Sequence, residues 1–175
     1  MEYLKKKYIK DTFVVSNLPY KKFHMSSLLL VGNAKKDGFT KVLRSIIKFK
    51  LDNIDSTSVI SAYLNLYIRS KQTCNACKFP MKVNIGLNTS YVYVTSTCWD
   101  NAPSYKESDC FTTINSKDIG SYIRIDITDI INKWLSRECN NNGLTIYGDK
   151  ALECGIINFS STEGSKPPFL EYTLQ

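Results

Sequence analysis

The apolar and polar positions of residues 121–148 (SYIRIDITDIINKWLSRECNNNGLTIYG) change period twice. Ile123, Ile125 and Ile127 alternate with Tyr122, Arg124 and Asp126, which is the two-residue repeat of a half-buried strand. Ile127, Ile130, Ile131, Trp134 and Leu135 then fall at i, i+3, i+4, i+7 and i+8, so five apolar groups share one helical face. Asp126 or Thr128 is placed to cap that helix, and Asp129 sits in its first turn, where a carboxylate suits the positive end of the dipole. Asn140, Asn141, Asn142 and Gly143 tolerate left-handed backbone and end it, after which Leu144 and Ile146 resume a strand. The pattern predicts one short α-helix at about 127–137 that caps the open end of a sandwich, with Trp134 in the core.

Elsewhere the chain alternates as strands do. Segments 12–16, 27–32, 41–51, 59–69, 81–87, 91–96, 154–159 and 168–174 are apolar on one or both faces and are punctuated by Gly, Pro and Asn. In 59–69, Ile60, Ala62, Leu64, Leu66 and Ile68 point one way and Ser61, Tyr63, Asn65 and Tyr67 the other. Segment 97–111 (TCWDNAPSYKESDCF) has turn chemistry and no period, and reads as a surface loop. About ten short strands with one helix predict an all-β fold, a jelly-roll-like β-sandwich. Residues 1–11, where Lys5, Lys6, Lys7 and Lys10 are interspersed with Tyr3, Leu4, Tyr8 and Ile9, read as an N-terminal arm, and 12–175 as a single sandwich domain.

The length of 175 residues and a hydrophobic content of 43% suffice for one sizeable core. No apolar run is long enough to span a bilayer as a helix, and the lysine-rich start has no apolar segment after it of the kind a secretory signal needs. A net charge of +7 favours acidic partners. The lysines are scattered in pairs such as Lys21-Lys22 and Lys35-Lys36 without an arginine-rich or recognition-helix pattern, so nucleic acid ranks last among them.

In order along the chain, LLLVGN, RSIIKFKL, SAYLNLYI, WDNAPSY, RIDITDIINKWL, NNGLTIYG and INFSSTEGSKPPFLEYT resemble the DNRLRE-type domain, over roughly residues 12–173. Some members of that family are classed as carbohydrate-binding modules. The resemblance implies a jelly-roll β-sandwich in a surface protein of a bacterium, non-enzymatic, with acidic polysaccharides among the ligands of some relatives.

Catalytic patterns are missing. His24 is a lone histidine in a polar stretch, there is no HExxH and no phosphate loop, and Asp100, Glu107 and Asp109 read as solvated loop charges. The six cysteines are the informative cluster. Cys74 and Cys77 form a CxxC, and with Cys98, Cys110, Cys139 and Cys154 they leave disulfide cross-links, free thiols and a zinc site all open. No cofactor is called for, although zinc on the cysteines and structural calcium stay open too. Sugar rings stack on exposed aromatic faces, which makes Trp99, Tyr63, Tyr67, Tyr91 and Tyr93 the candidate ligand contacts.

Two functions fit these readings. The first is a structural or adhesive subunit of a bacterial cell or spore surface, a self-polymerising fibre in which Tyr3, Leu4, Tyr8 and Ile9 of the arm join a neighbour's sheet edge and the cysteines cross-link. Its partners would be copies of itself or other surface proteins. The alternative is a carbohydrate-binding module for an acidic polysaccharide, held through lysines and therefore sensitive to salt.

Overall fold

A computed structural model describes residues 1–36, 38–72, 79–149 and 155–174. Among them are eleven strands and one α-helix. The strands are β1 (Glu2–Leu4), β2 (Ile9–Val15), β3 (Leu28–Lys36), β4 (Phe39–Phe49), β5 (Val59–Gln72), β6 (Met81–Asn88), β7 (Tyr105–Ile114), β8 (Tyr122–Asp126), β9 (Leu144–Gly148), β10 (Gly155–Ser160) and β11 (Phe169–Leu174). Pairing is antiparallel and runs β1-β11-β5-β10-β3-β4-β9-β6-β7, with β2 on β4 and β8 on β5. Strand β5 belongs to both layers of a sandwich. Its first half pairs with β11 and β8, whereas residues 68–72 pair with β10 in the larger layer. The inner faces meet in one core, where Leu64, Leu66, Ile125 and Leu170 from one layer pack with Leu29, Val31, Ile47, Ile85 and Phe159 from the other.

The helix α1 (Thr128–Leu135) closes this core at one end. Ile127, Ile130, Ile131 and Trp134 are buried, as their spacing predicts, and Trp134 faces Phe49 with ring centroids 6.4 Å apart. The N-cap position is Ile127, which makes no side-chain cap bond; instead the carboxylate of Asp126, one residue earlier, accepts hydrogen bonds from the Thr128 amide (2.9 Å) and hydroxyl (2.6 Å) and satisfies the first amide of the helix. Asn132 ties the helix to β5 by accepting from the Val59 amide at 2.7 Å and donating to its carbonyl at 3.1 Å. The helix stops earlier than the asparagine run suggested, because Arg137 takes the left-handed conformation with φ 62.

Three segments depart from the sequence reading. Residues 1–11, expected to stand apart as an arm, pair within their own chain: β1 lies on β11 and β2 on β4, and Leu4 and Ile9 are buried in the core. The Tyr172 hydroxyl donates to Glu2 at 2.9 Å and fastens β1 further. The physical reason is that Leu4 and Ile9 are apolar, and burying them stabilises the intramolecular pairing. Residues 91–96, expected as a strand, are irregular backbone lying over the outer face of the larger layer. Their alternation is real all the same, since Val92 and Val94 are buried against Val14 and Ile46 while Tyr91 and Tyr93 face solvent. Finally, the presumed loop 97–111 contains most of β7. This strand is paired on one side only, to β6, and most of its residues are half-buried or exposed, so its sequence lacks an apolar alternation.

Candidate functional site

Two of the tyrosine groups singled out by sequence lie on opposite outer faces. Tyr63 and Tyr67 project from β5 on the outside of the smaller layer, where their rings are already engaged. The Arg124 guanidinium lies 3.5 Å from the Tyr63 ring centre and ion-pairs with Glu171 at 2.5 Å. Tyr67 meets Tyr122 edge-on at 5.2 Å, Tyr122 meets Phe169 at 5.2 Å, and Phe169 meets Tyr3 at 5.7 Å. Burial raises the Tyr122 phenol above its ordinary value. These rings are engaged with one another and with Arg124.

Trp99 is half-buried and serves as an anchor. The Arg44 guanidinium sits 4.8 Å from its ring centre and 5.3 Å from that of Tyr105, which in turn packs on Tyr147 at 4.8 Å. This stack pins the overlying loop to β4. The backbone helps, through Thr89 N–H to the Ser104 carbonyl (2.9 Å) and Asp100 N–H to the Pro19 carbonyl (3.0 Å).

What the anchored loop presents is Tyr91 and Tyr93, 58% and 70% exposed, with ring centres 4.8 Å apart. Beneath them the antiparallel register of β2 and β4 sets Lys10 directly opposite Lys48, and the Lys50 amide donates to the Tyr8 carbonyl at 2.7 Å. Lysines from two distant stretches thereby share one outer face. The Lys48 ammonium lies 2.9 Å from the Tyr91 ring centre, is buried, and has no hydrogen-bond partner. Its interaction with Tyr91 holds that phenol below the ordinary tyrosine value, and hydrogen bonding to Lys7 does the same for Tyr8. A cleft of about 580 Å³ opens here, lined by Lys7, Tyr8, Lys10, Lys48, Tyr91 and Trp134 among others. The Lys50 ammonium is balanced in part by Asp52 at 3.5 Å.

Sequence reasoning named Tyr91 and Tyr93 as candidate ligand contacts and Tyr8 only as part of an assembly arm. It missed Lys10, Lys48 and Lys50. The alternation of Lys48 and Lys50 with Ile47, Phe49 and Leu51 marks a wet strand face, but nothing local says that Lys10 joins them. His24, read as a surface residue, is half-buried, and its Nδ1 is enclosed without a partner. Asp100 and Asp109 are exposed, as solvated charges would be, while Glu107 lines a small polar pocket with Lys82 and Asp149.

Among the described residues, Cys98, Cys110 and Cys139 are free thiols, and no group of three or more His, Cys, Asp or Glu is placed to hold a metal ion. Burial raises the Cys110 thiol above its ordinary value, against the sense of a reactive cysteine. Cys74, Cys77 and Cys154 lie outside the described residues. No described helix is long and apolar enough to cross a membrane.

The sequence profile described as carbohydrate-binding module family 96 matches residues 2–173. No curated protein matches the chain.

Proposed function

The chain belongs to carbohydrate-binding module family 96, and from that premise we propose that it binds an acidic polysaccharide, without turning it over, in the cleft where Lys7, Lys10, Lys48 and Lys50 meet Tyr8 and Tyr91. The observation that carries the reading is the Lys48 ammonium, buried and without a hydrogen-bond acceptor beside an exposed tyrosine pair. The Tyr91 ring compensates that charge in part, and a ligand carboxylate or sulfate would add the charge-assisted hydrogen bond that it lacks. A pyranose offers the complementary surfaces, an apolar face for Tyr91 or Tyr93 and hydroxyls for Tyr8 and Asn141 at the cleft wall. The clustered lysines add a field that draws polyanions and that salt screens.

Titration calorimetry with a soluble polyuronate and a neutral glucan, each at low and at high salt, tests this. The polyuronate is expected to bind, more weakly as salt rises, and the neutral glucan much less. Tyr91→Ala and Lys48→Met should each weaken binding by about tenfold, the loss of one stacking or charge-assisted contact. Binding that ignores salt and both substitutions contradicts the assignment.

A further inference from the structure

A second cavity, of about 620 Å³, lies against the first and shares Lys7 and Lys10 with it as a common wall. We infer that it is a second subsite of the same cleft, so that the ligand is an extended anionic glycan chain crossing the lysine ridge rather than a single sugar or a chain end. The inference rests on the reading of the Tyr91 cavity as sugar-binding and adds to it the length and path of the ligand.

Several observations point the same way. One irregular segment walls both cavities, since Tyr91 lines the first while Val94 and Thr95 line the second. The second cavity has its own cations in Lys5 and Lys6, an apolar surface in Ile9, Val94 and the exposed Met25, and an enclosed His24 Nδ1 with no hydrogen-bond partner. A sugar hydroxyl can satisfy that nitrogen whichever tautomer it holds, because a hydroxyl both donates and accepts.

The carboxylates of this cavity narrow the ligand. Both oxygens of Asp11 are occupied by Thr162, from its amide at 2.7 Å and its hydroxyl at 2.9 Å, so Asp11 is spent on structure. Glu163 also lines the cavity and disfavours negative charge at its end. Lysines on the ridge with a carboxylate beyond them suit a chain carrying one anionic group per sugar and hydroxyls between. They suit a dense polyanion such as polyphosphate less well.

The test is calorimetric titration with a disaccharide and a hexasaccharide of the same uronic acid, on the wild type, His24→Ala, Lys6→Gln and Tyr91→Ala. Lys6 is exposed and lines only the second cavity, so its substitution probes that cavity without risk to the fold. The wild type is expected to bind the hexasaccharide at least about tenfold more tightly than the disaccharide, as added contacts of about 1.4 kcal/mol require. His24→Ala and Lys6→Gln should remove most of that gain and leave disaccharide binding unchanged, whereas Tyr91→Ala should weaken both. Equal affinity for the two lengths, or a length gain untouched by His24→Ala and Lys6→Gln, overturns the two-cavity path while leaving the Tyr91 site standing. Failure of both oligomers to bind overturns the sugar assignment and this inference with it.

Discussion

Gly32→Ala should destabilise the protein by more than about 3 kcal/mol, the upper range for forcing atoms into a packed site. Gly32 lies inside β3 with φ +134, a region that L side chains rarely adopt, and it pairs with Ile156 of β10 on one side and Leu43 of β4 on the other. A Cβ there would stand 1.9 Å from the Gly155 carbonyl oxygen. Gly148 of β9 is also close, since a Cβ on it would lie 3.0 Å from the Gly32 Cα. Backbone on both sides leaves no flexible side chain to give way. Gly120→Ala is the matched control, because Gly120 has φ +87 but open space around its Cβ direction, so it carries the backbone strain without the collision. Urea unfolding should show the Gly32 variant losing far more than the Gly120 variant. Similar losses would mean that the backbones are not in the contact described.

Asp11→Asn should remove a pH dependence rather than a contact. Asp11 is 3% exposed, and burial, outweighing its two hydrogen bonds from Thr162, raises its carboxyl from 3.8 to about 6. A folded-state value above the unfolded one means that the native protein binds this proton more tightly. The stabilisation from that group is therefore complete below pH 3.8 and is lost as pH rises through about 6. The loss by neutral pH is on the order of 2–3 kcal/mol. An asparagine keeps a carbonyl oxygen for the Thr162 amide and an amide group for its hydroxyl, without the buried charge. The variant should thus be the more stable protein at neutral pH, and its advantage should vanish on acidification. Other carboxylates titrate alike in both proteins, so the difference between two urea-denaturation series isolates Asp11. A difference that does not change with pH would contradict the burial argument.

Both positions show what could be read in the chain and what could not. The period change at Ile127 was sufficient to place α1 and bury Trp134, and the alternation of β5 named Ala62, Leu64, Leu66 and Ile68 correctly as inward; Ile60, expected on the same face, is exposed, because the register of β5 on β11 shifts there and buries Val59 instead. Period is a local signal, and it survives wherever one face is buried. Gly32-Asn33 was read as the end of a strand, yet Gly32 is inside one. Its role is set by Gly155, 123 residues away in sequence, and no local pattern reports a backbone crossing. The same limit hid the proposed cleft. Tyr91 and Tyr93 were legible because Val92 and Val94 alternate with them, whereas the juxtaposition of Lys10 and Lys48 depends on the register of β2 on β4. Asp11 gave no sign at all, since a carboxylate in an apolar strand is ordinarily placed on its wet face.

The central claim is that the lysine-tyrosine cleft, and not the other tyrosine face, meets the glycan. Two-dimensional NMR during titration with a uronic-acid hexasaccharide tests it most directly. The account predicts that the amide signals of Tyr8, Lys10, Lys48 and Tyr91 and the Trp134 indole move together, and that those of Tyr3, Tyr67, Tyr122 and Phe169 stay in place. Movement confined to that second set would contradict it.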